Sequence, residues 1–217
     1  MYPKRAFLLA ILLMFFCLAA PQLSAQPSTN ARSKPNKIVF DGDMAALLAQ
    51  IADMNKVNIG LETAPNQSRT NVKIDFRFAT VDDLVEGIVK AAPGYQWRNQ
   101  GGFIDIYPTD VGCPLLETAV SEFEVNNKDW LAATETLTNL PEVRRELNVL
   151  GLTRRKLDKQ TPPATLFSVS LRNVSFRRAL HEITKSSQNN FWMFKRYGYR
   201  GQDFSISTVP IFEEPGS

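Results

Sequence analysis

The sequence predicts an α+β fold: two small βαββαβ-like modules in tandem, each a pair of amphipathic helices packed on short mixed sheets. Three observations carry this expectation. Residues 72–78, VKIDFRF, place Val72, Ile74, Phe76 and Phe78 on one side and Lys73, Asp75 and Arg77 on the other, the period of a strand with one buried face. The spacing then becomes helical. Thr80 is a cap, Val81, Leu84, Val85 and Ile88 follow at i, i+3, i+4 and i+7, Asp82 and Asp83 fill the first turn, and Pro93-Gly94 stops the helix after Lys90. Third, a shift of 95 positions lays residues 167–192 over 72–97 without a gap. Val81, Leu84, Val85 and Ile88 then meet Phe176, Ala179, Leu180 and Ile183, the cap Thr80 meets Ser175, and Trp97 meets Trp192.

In chain order, Lys4 and Arg5 precede an apolar run over residues 7–20, and Leu23-Ser24-Ala25 has the small residues of a cleavage site. Residues 1–25 therefore read as a secretory signal peptide cut after Ala25, and the run is too short for a comfortable membrane span of about 20 residues. This places the mature chain in the periplasm or outside the cell, with no transmembrane span after cleavage. Of 25 basic and 22 acidic residues the signal removes two basic ones and no acid, so the remainder carries a net charge of about +1. No overall field draws it to nucleic acid. Residues 26–36 read as a disordered leader.

The first module spans 37–109. It opens with a strand at Lys37-Ile-Val-Phe40, a helix capped by Asp43 with Met44, Leu47, Leu48 and Ile51 on one face, and a strand over residues 57–61. After the stretch described above, two short strands flank Gly101-Gly102. Residues 110–118 form a linker. The second module spans 119–208: a strand over 120–125, a helix capped by Asn126 or Asn127 and carrying Trp130, Leu131 and Leu137, and an insertion over 141–165. Within that insertion Pro141 and Gly151 bracket a helix. Residues 209–217 are a tail. Cys113 is the one cysteine left after cleavage; placed in the linker, it suggests a partly exposed thiol able to pair between chains, although an unpaired structural thiol is the plainer reading.

KIVFDGDMAALLAQIADMNKVNIGLE, followed by VKIDFRFATVDDLVEGIVKAAPGYQWRNQGGFIDIY and, more loosely, FSVSLRNVSFRRALHEITKSSQNNFWMFKRYGYRGQDFSIS, resembles the short N-terminal domain of secretins and TonB-dependent receptors, the STN domain. The resemblance implies a noncatalytic α+β domain that docks onto protein partners of a bacterial envelope system for secretion, transport or signalling. Those proteins continue into a pore or barrel, so their outer-membrane role is not implied for these residues.

The chemistry agrees with a binding role. No phosphate loop, nucleophile elbow or metal-ligand spacing is present, so no catalytic residue, cofactor or metal is expected. His181, the single histidine, falls beside the buried stripe of its helix and reads as a surface or boundary residue rather than a base paired with Glu182. In residues 191–197, FWMFKRY, both alternating faces are apolar for part of their length, so the strand is either covered twice or exposes an aromatic patch suited to strand addition. Trp192, Phe194, Arg196 and Tyr199, with Arg177 and Arg178, form the candidate partner-binding surface. An envelope protein is its expected partner, and an anionic glycan or lipid headgroup is the alternative.

Overall fold

The computed structural model describes residues 36–65, 67, 69–110, 112–155, 165–198 and 201–208, all within one compact unit, Lys34–Ser217. The signal peptide, the leader up to residue 35, residues 156–164 of the insertion and the tail lie outside the described residues.

The chain is a mixed α+β fold. Its first half runs β1 (Asn36–Asp43), α1 (Met44–Asn55), β2 (Asn58–Glu62), β3 (Asn71–Phe78), α2 (Val81–Ala91), β4 (Tyr95–Gln100) and β5 (Phe103–Pro108). The second runs β6 (Ala119–Lys128), α3 (Trp130–Thr138), α4 (Pro141–Leu150), β7 (Thr153–Arg154), β8 (Phe167–Ser175), α5 (Phe176–Ser186), β9 (Phe191–Tyr197) and β10 (Asp203–Ser207). The expected caps of α1, α2 and α5 form: Asp43, Thr80 and Ser175 each accept from a backbone N–H of the first turn. Asp129 caps α3 instead of Asn126 or Asn127, because β6 extends through Lys128 before the chain turns.

The same pairings occur in both halves. β1 pairs antiparallel with β3, as β6 does with β8. β4 and β5 form an antiparallel pair flanked by parallel β2, as β9 and β10 do with β7. The two three-stranded groups are not separate bodies. Parallel pairing of β2 with β9 joins them into one six-stranded sheet, β4-β5-β2-β9-β10-β7.

That sheet is covered on both faces, and β9 shows it residue by residue. Phe191 and Met193 join the core formed with α1, α2 and the β1–β3 ribbon, while Trp192 and Phe194 join the core formed with α3, α5 and the β6–β8 ribbon. The two-sided apolar strand is therefore a central strand covered twice, not an edge available to a partner. The segment expected as a linker is also structural: Pro114–Glu117 forms a 3-10 turn, and Cys113, Leu115 and Leu116 are buried in the second core.

Gly60 permits this arrangement. It lies directly across from Trp192 in the β2–β9 register, and a Cβ there would sit 2.3 Å from the indole. Gly60→Ala should therefore cost about 1–3 kcal/mol by overpacking, with both halves unfolding in one transition. Urea denaturation followed separately by tryptophan fluorescence and circular dichroism checks both points; two separated transitions would mean that the halves are independent.

Candidate functional site

A polar row crosses the sheet where the halves meet. On the face turned toward α5, Arg98 of β4, Asp105 of β5, Gly60 of β2 and Trp192 of β9 lie side by side in register. His181 descends from α5 onto this row. Its Nε2 is 2.7 Å from Asp105 Oδ1, and its Nδ1 is 3.1 Å from the indole Nε1 of Trp192. An indole N–H can only donate, so Nδ1 is the acceptor and the neutral ring carries its proton on Nε2, donated to Asp105. Burial holds His181 below the ordinary histidine range; Arg177 and Arg178 act in the same direction, while Asp105 opposes them. A proton on Nδ1 would also face the indole N–H.

Arg177, four residues earlier on α5, supplies the buried cation. Its Nη2 is 2.8 Å from Glu62 Oε2, its Nε is 2.9 Å from Glu117 Oε1, and its Nη1 is 3.8 Å from Asp105 Oδ1. Glu62 also accepts from the Cys113 backbone N–H. Arg98 closes the outer side of Asp105 at 3.2 Å. Burial pushes Glu62 upward, only partly offset by Arg177 and the Cys113 N–H. At Asp105 burial again pushes upward, but His181, Arg177 and Arg98 outweigh it and the carboxyl lies below its usual range. For Arg177 the surrounding carboxylates outweigh the cost of burial and hold the guanidinium charged. Two buried carboxylates thus share one buried arginine, with Arg98 balancing the remaining charge from the rim.

Beside this cluster, at the N-terminus of α5, is a cavity of about 140 Å³. Its walls carry Arg98, Arg177 and Arg178 against Asp105 and Glu117, with Phe103 beneath the Arg178 guanidinium at 4.1 Å. Arg177 Nη1 is buried and makes no hydrogen bond. His181 can serve as neither base nor ligand without breaking its contacts, because both ring nitrogens are engaged and the side chain is 2% exposed. Among the described residues no three His, Cys, Asp or Glu side chains are placed to hold a metal ion.

The residues singled out in the sequence divide by burial. Trp192 and Phe194 are wholly buried and cannot form a partner surface, while Arg196 is half-buried. Tyr199 lies outside the described residues. Arg177 is inside the ionic cluster, and Arg178 keeps a half-exposed side chain, paired with Glu182 at 2.6 Å. His181 is a core residue, not the surface or boundary histidine expected, because Asp105 and Trp192 satisfy it from the sheet. The Cys113 thiol, expected to be partly exposed, is buried, and burial raises its pKa, so pairing between chains would require the second core to open. Glu62 and Asp105 drew no notice in the sequence; their signal is an acidic residue inside an otherwise apolar strand, NIGLE and FIDIY. No family model, curated protein or solved structure matches the chain.

Two tests follow from these contacts. Because the folded His181 binds its proton more weakly than the unfolded ring, its contribution to stability is complete above pH 6.5 and is lost as pH falls below it, by at most about 1.4 kcal/mol per pH unit for one proton. Glu62, raised by burial, contributes with the opposite sign above pH 4.5, so the His181 share is read as a difference between wild type and His181→Gln, whose amide can bond both Asp105 and Trp192. Urea titrations between pH 5 and 8 should show this difference narrowing below pH 6.5. Arg177→Met should cost about 3–5 kcal/mol by stranding buried carboxylates, measured in the same way at pH 7.

Proposed function

We propose that this chain is a noncatalytic docking module of a bacterial envelope system that receives an acidic side chain of a protein partner in the cavity at the N-terminus of α5. The observation that carries the reading is Arg177, which lines a polar cavity with two further arginines and whose buried Nη1 makes no hydrogen bond. Helix N-termini and guanidinium groups both favour a carboxylate, and an arginine fork suits its two oxygens. The volume admits one small group, which favours a single carboxylate side chain over a sulfated glycan or a phospholipid surface. Arg178 and Arg98, with side chains 41% and 33% exposed, form the accessible rim. The signal-like residues 1–25 and the resemblance to STN domains supply the compartment and the partner class.

A glutamate-rich peptide and its glutamine counterpart, titrated separately against the whole mature chain, test the proposal. The acidic peptide should shift the Trp192 indole and Arg177 Nε–H resonances. Arg178→Glu should remove the response, whereas Arg144→Glu, an exposed charge on α4, should leave it unchanged. Anionic vesicles or a sulfated glycan binding in place of the peptide would favour the headgroup or glycan reading, and silence from all three would sink the site.

A further inference from the structure

The six-stranded sheet has two margins. One is β7, of two residues; the other is β4, of six, paired with β5 in unbroken register. The two-residue turn Gly101-Gly102 closes on the bonded pair Gln100–Phe103, so bonds across the ladder recur at Arg98–Asp105 and Gln96–Tyr107. The alternate pairs end at Tyr95–Pro108, whose proline has no N–H to give. The N–H and C=O groups of Trp97 and Asn99 therefore point away from β5, and among the described residues no strand lies beyond them. β4 has no proline, lysine or bulge to blunt this edge.

The second half shows what such an edge accepts. β9 is the counterpart of β4: each opens an antiparallel pair, and the shift of 95 positions lays Trp192 over Trp97. The outer edge of β9 is filled by β2. There the Ile59 N–H is donated to the Asn190 carbonyl at 2.8 Å and the Thr63 N–H to the Phe194 carbonyl at 2.9 Å. The two faces of β4 also meet opposite charges. Toward α5, Arg98 and Gln100 form the outer wall of the arginine cavity, with Arg178 at its rim. Toward α2, Trp97 donates to Glu86 at 2.5 Å and Asn99 to Asp82 at 3.3 Å. Side chains of an added strand would alternate between these faces, each about 5 Å from the β4 residue opposite. A glutamate opposite Arg98 comes within reach of the cavity, and its chain neighbours face the acids of α2.

Given a carboxylate in that cavity, on which this inference rests, we propose that it belongs to an extended segment of the partner that adds to β4 as a seventh strand. The segment carries glutamate on the Arg98 face and neutral or basic residues on the α2 face. Backbone bonds to Trp97 and Asn99 hold it, and the alternating charges fix its register.

The probe is a peptide alternating glutamate with threonine, titrated against the whole mature chain. It should shift the Trp192 indole and slow hydrogen exchange at the Trp97 and Asn99 amides by about tenfold or more. N-methylation of every second peptide residue should abolish binding in one alternate set and spare it in the other, because only one set turns its N–H toward β4. Asn99→Pro removes an outward N–H without touching the β4–β5 ladder and should weaken the peptide roughly tenfold. The methylated peptides supply the test should that variant fail to fold. Equal behaviour of the two sets, or unchanged exchange at Trp97 and Asn99 while the Trp192 indole still shifts, overturns the added strand and leaves the cavity standing. Silence of the indole as well overturns both. A dimer of the chain that excludes the peptide and dissociates in Asn99→Pro would assign the edge to a second copy and overturn the proposal equally.

Discussion

The contact on which the structure depends is the hydrogen-bonded line from Asp105 through His181 to Trp192, laid across Gly60. It has one member from β5, one from α5 and one from β9, so it exists only when the two halves are joined through the β2–β9 pair. The neighbouring charges obey the same logic. The first half contributes Glu62 and Asp105, both buried, and the second contributes Arg177. Apart, the first half would bury two carboxylates and the second an arginine, each without its partner. Joined, the costs largely cancel. Buried ion pairs are poor sources of net stability, but they penalise a wrong partner or register severely. Here a slip of one residue between β2 and β9 would send Trp192 to the first core and oppose Gly60 with a side chain that cannot stack over it.

Much of the fold was legible in the residues because it follows local periodicity. The β3–α2–β4–β5 run and its counterpart at 167–207 each alternate, cap and turn where their side chains require, and the elements lie close to those positions. What the sequence could not convey was the join. Nothing in NIGLE states that its second neighbour is a strand more than a hundred residues away, and pairing between distant strands leaves no local mark. The aromatic strand FWMFKRY shows the consequence: two apolar faces fit both a covered central strand and an exposed docking edge, and only the sheet order separates them. His181 failed for a related reason. Its helical position places it at the margin of the α5 stripe, but the sheet beneath is wide enough that the margin is also covered.

Burial of β9 withdraws its aromatic side chains from the surface and leaves only the rims of the sheet open. A strand with neighbours on both sides and helices on both faces has no group left to offer a partner, so the aromatic residues here are committed to packing. The basic residues next to them are divided by depth. Arg154 reaches back to Thr134 and Thr138 of α3, Arg155 pairs with Asp203 over the Tyr197 ring, and Arg177 is enclosed by carboxylates. Arg178 and Arg98 remain at the lip of the cavity. These arginines are mostly internal wiring with a small exposed margin.

That margin is not independent of the interior, because Arg177 belongs to both. Its Nε and Nη2 hold Glu117 and Glu62, its Nη1 lies 3.8 Å from Asp105, and the residue lines the cavity. A carboxylate taken up there would become the fourth acid around one guanidinium, drawing charge density from the bond to Glu62 at the join of the halves. Part of the binding free energy would then be spent on rearranging Arg177 unless Arg178 turns inward from Glu182 to share the load. The exchange is feasible because the Arg178–Glu182 pair is an i,i+4 pair at the partly exposed rim, where such pairs are worth only about 0.3–0.5 kcal/mol, whereas the pairs around Arg177 are buried. Affinity for such a carboxylate would therefore be set by how readily the outer arginine yields, with the inner one as a fixed template. A ligand held in this way would engage the rim without loosening the join that builds it.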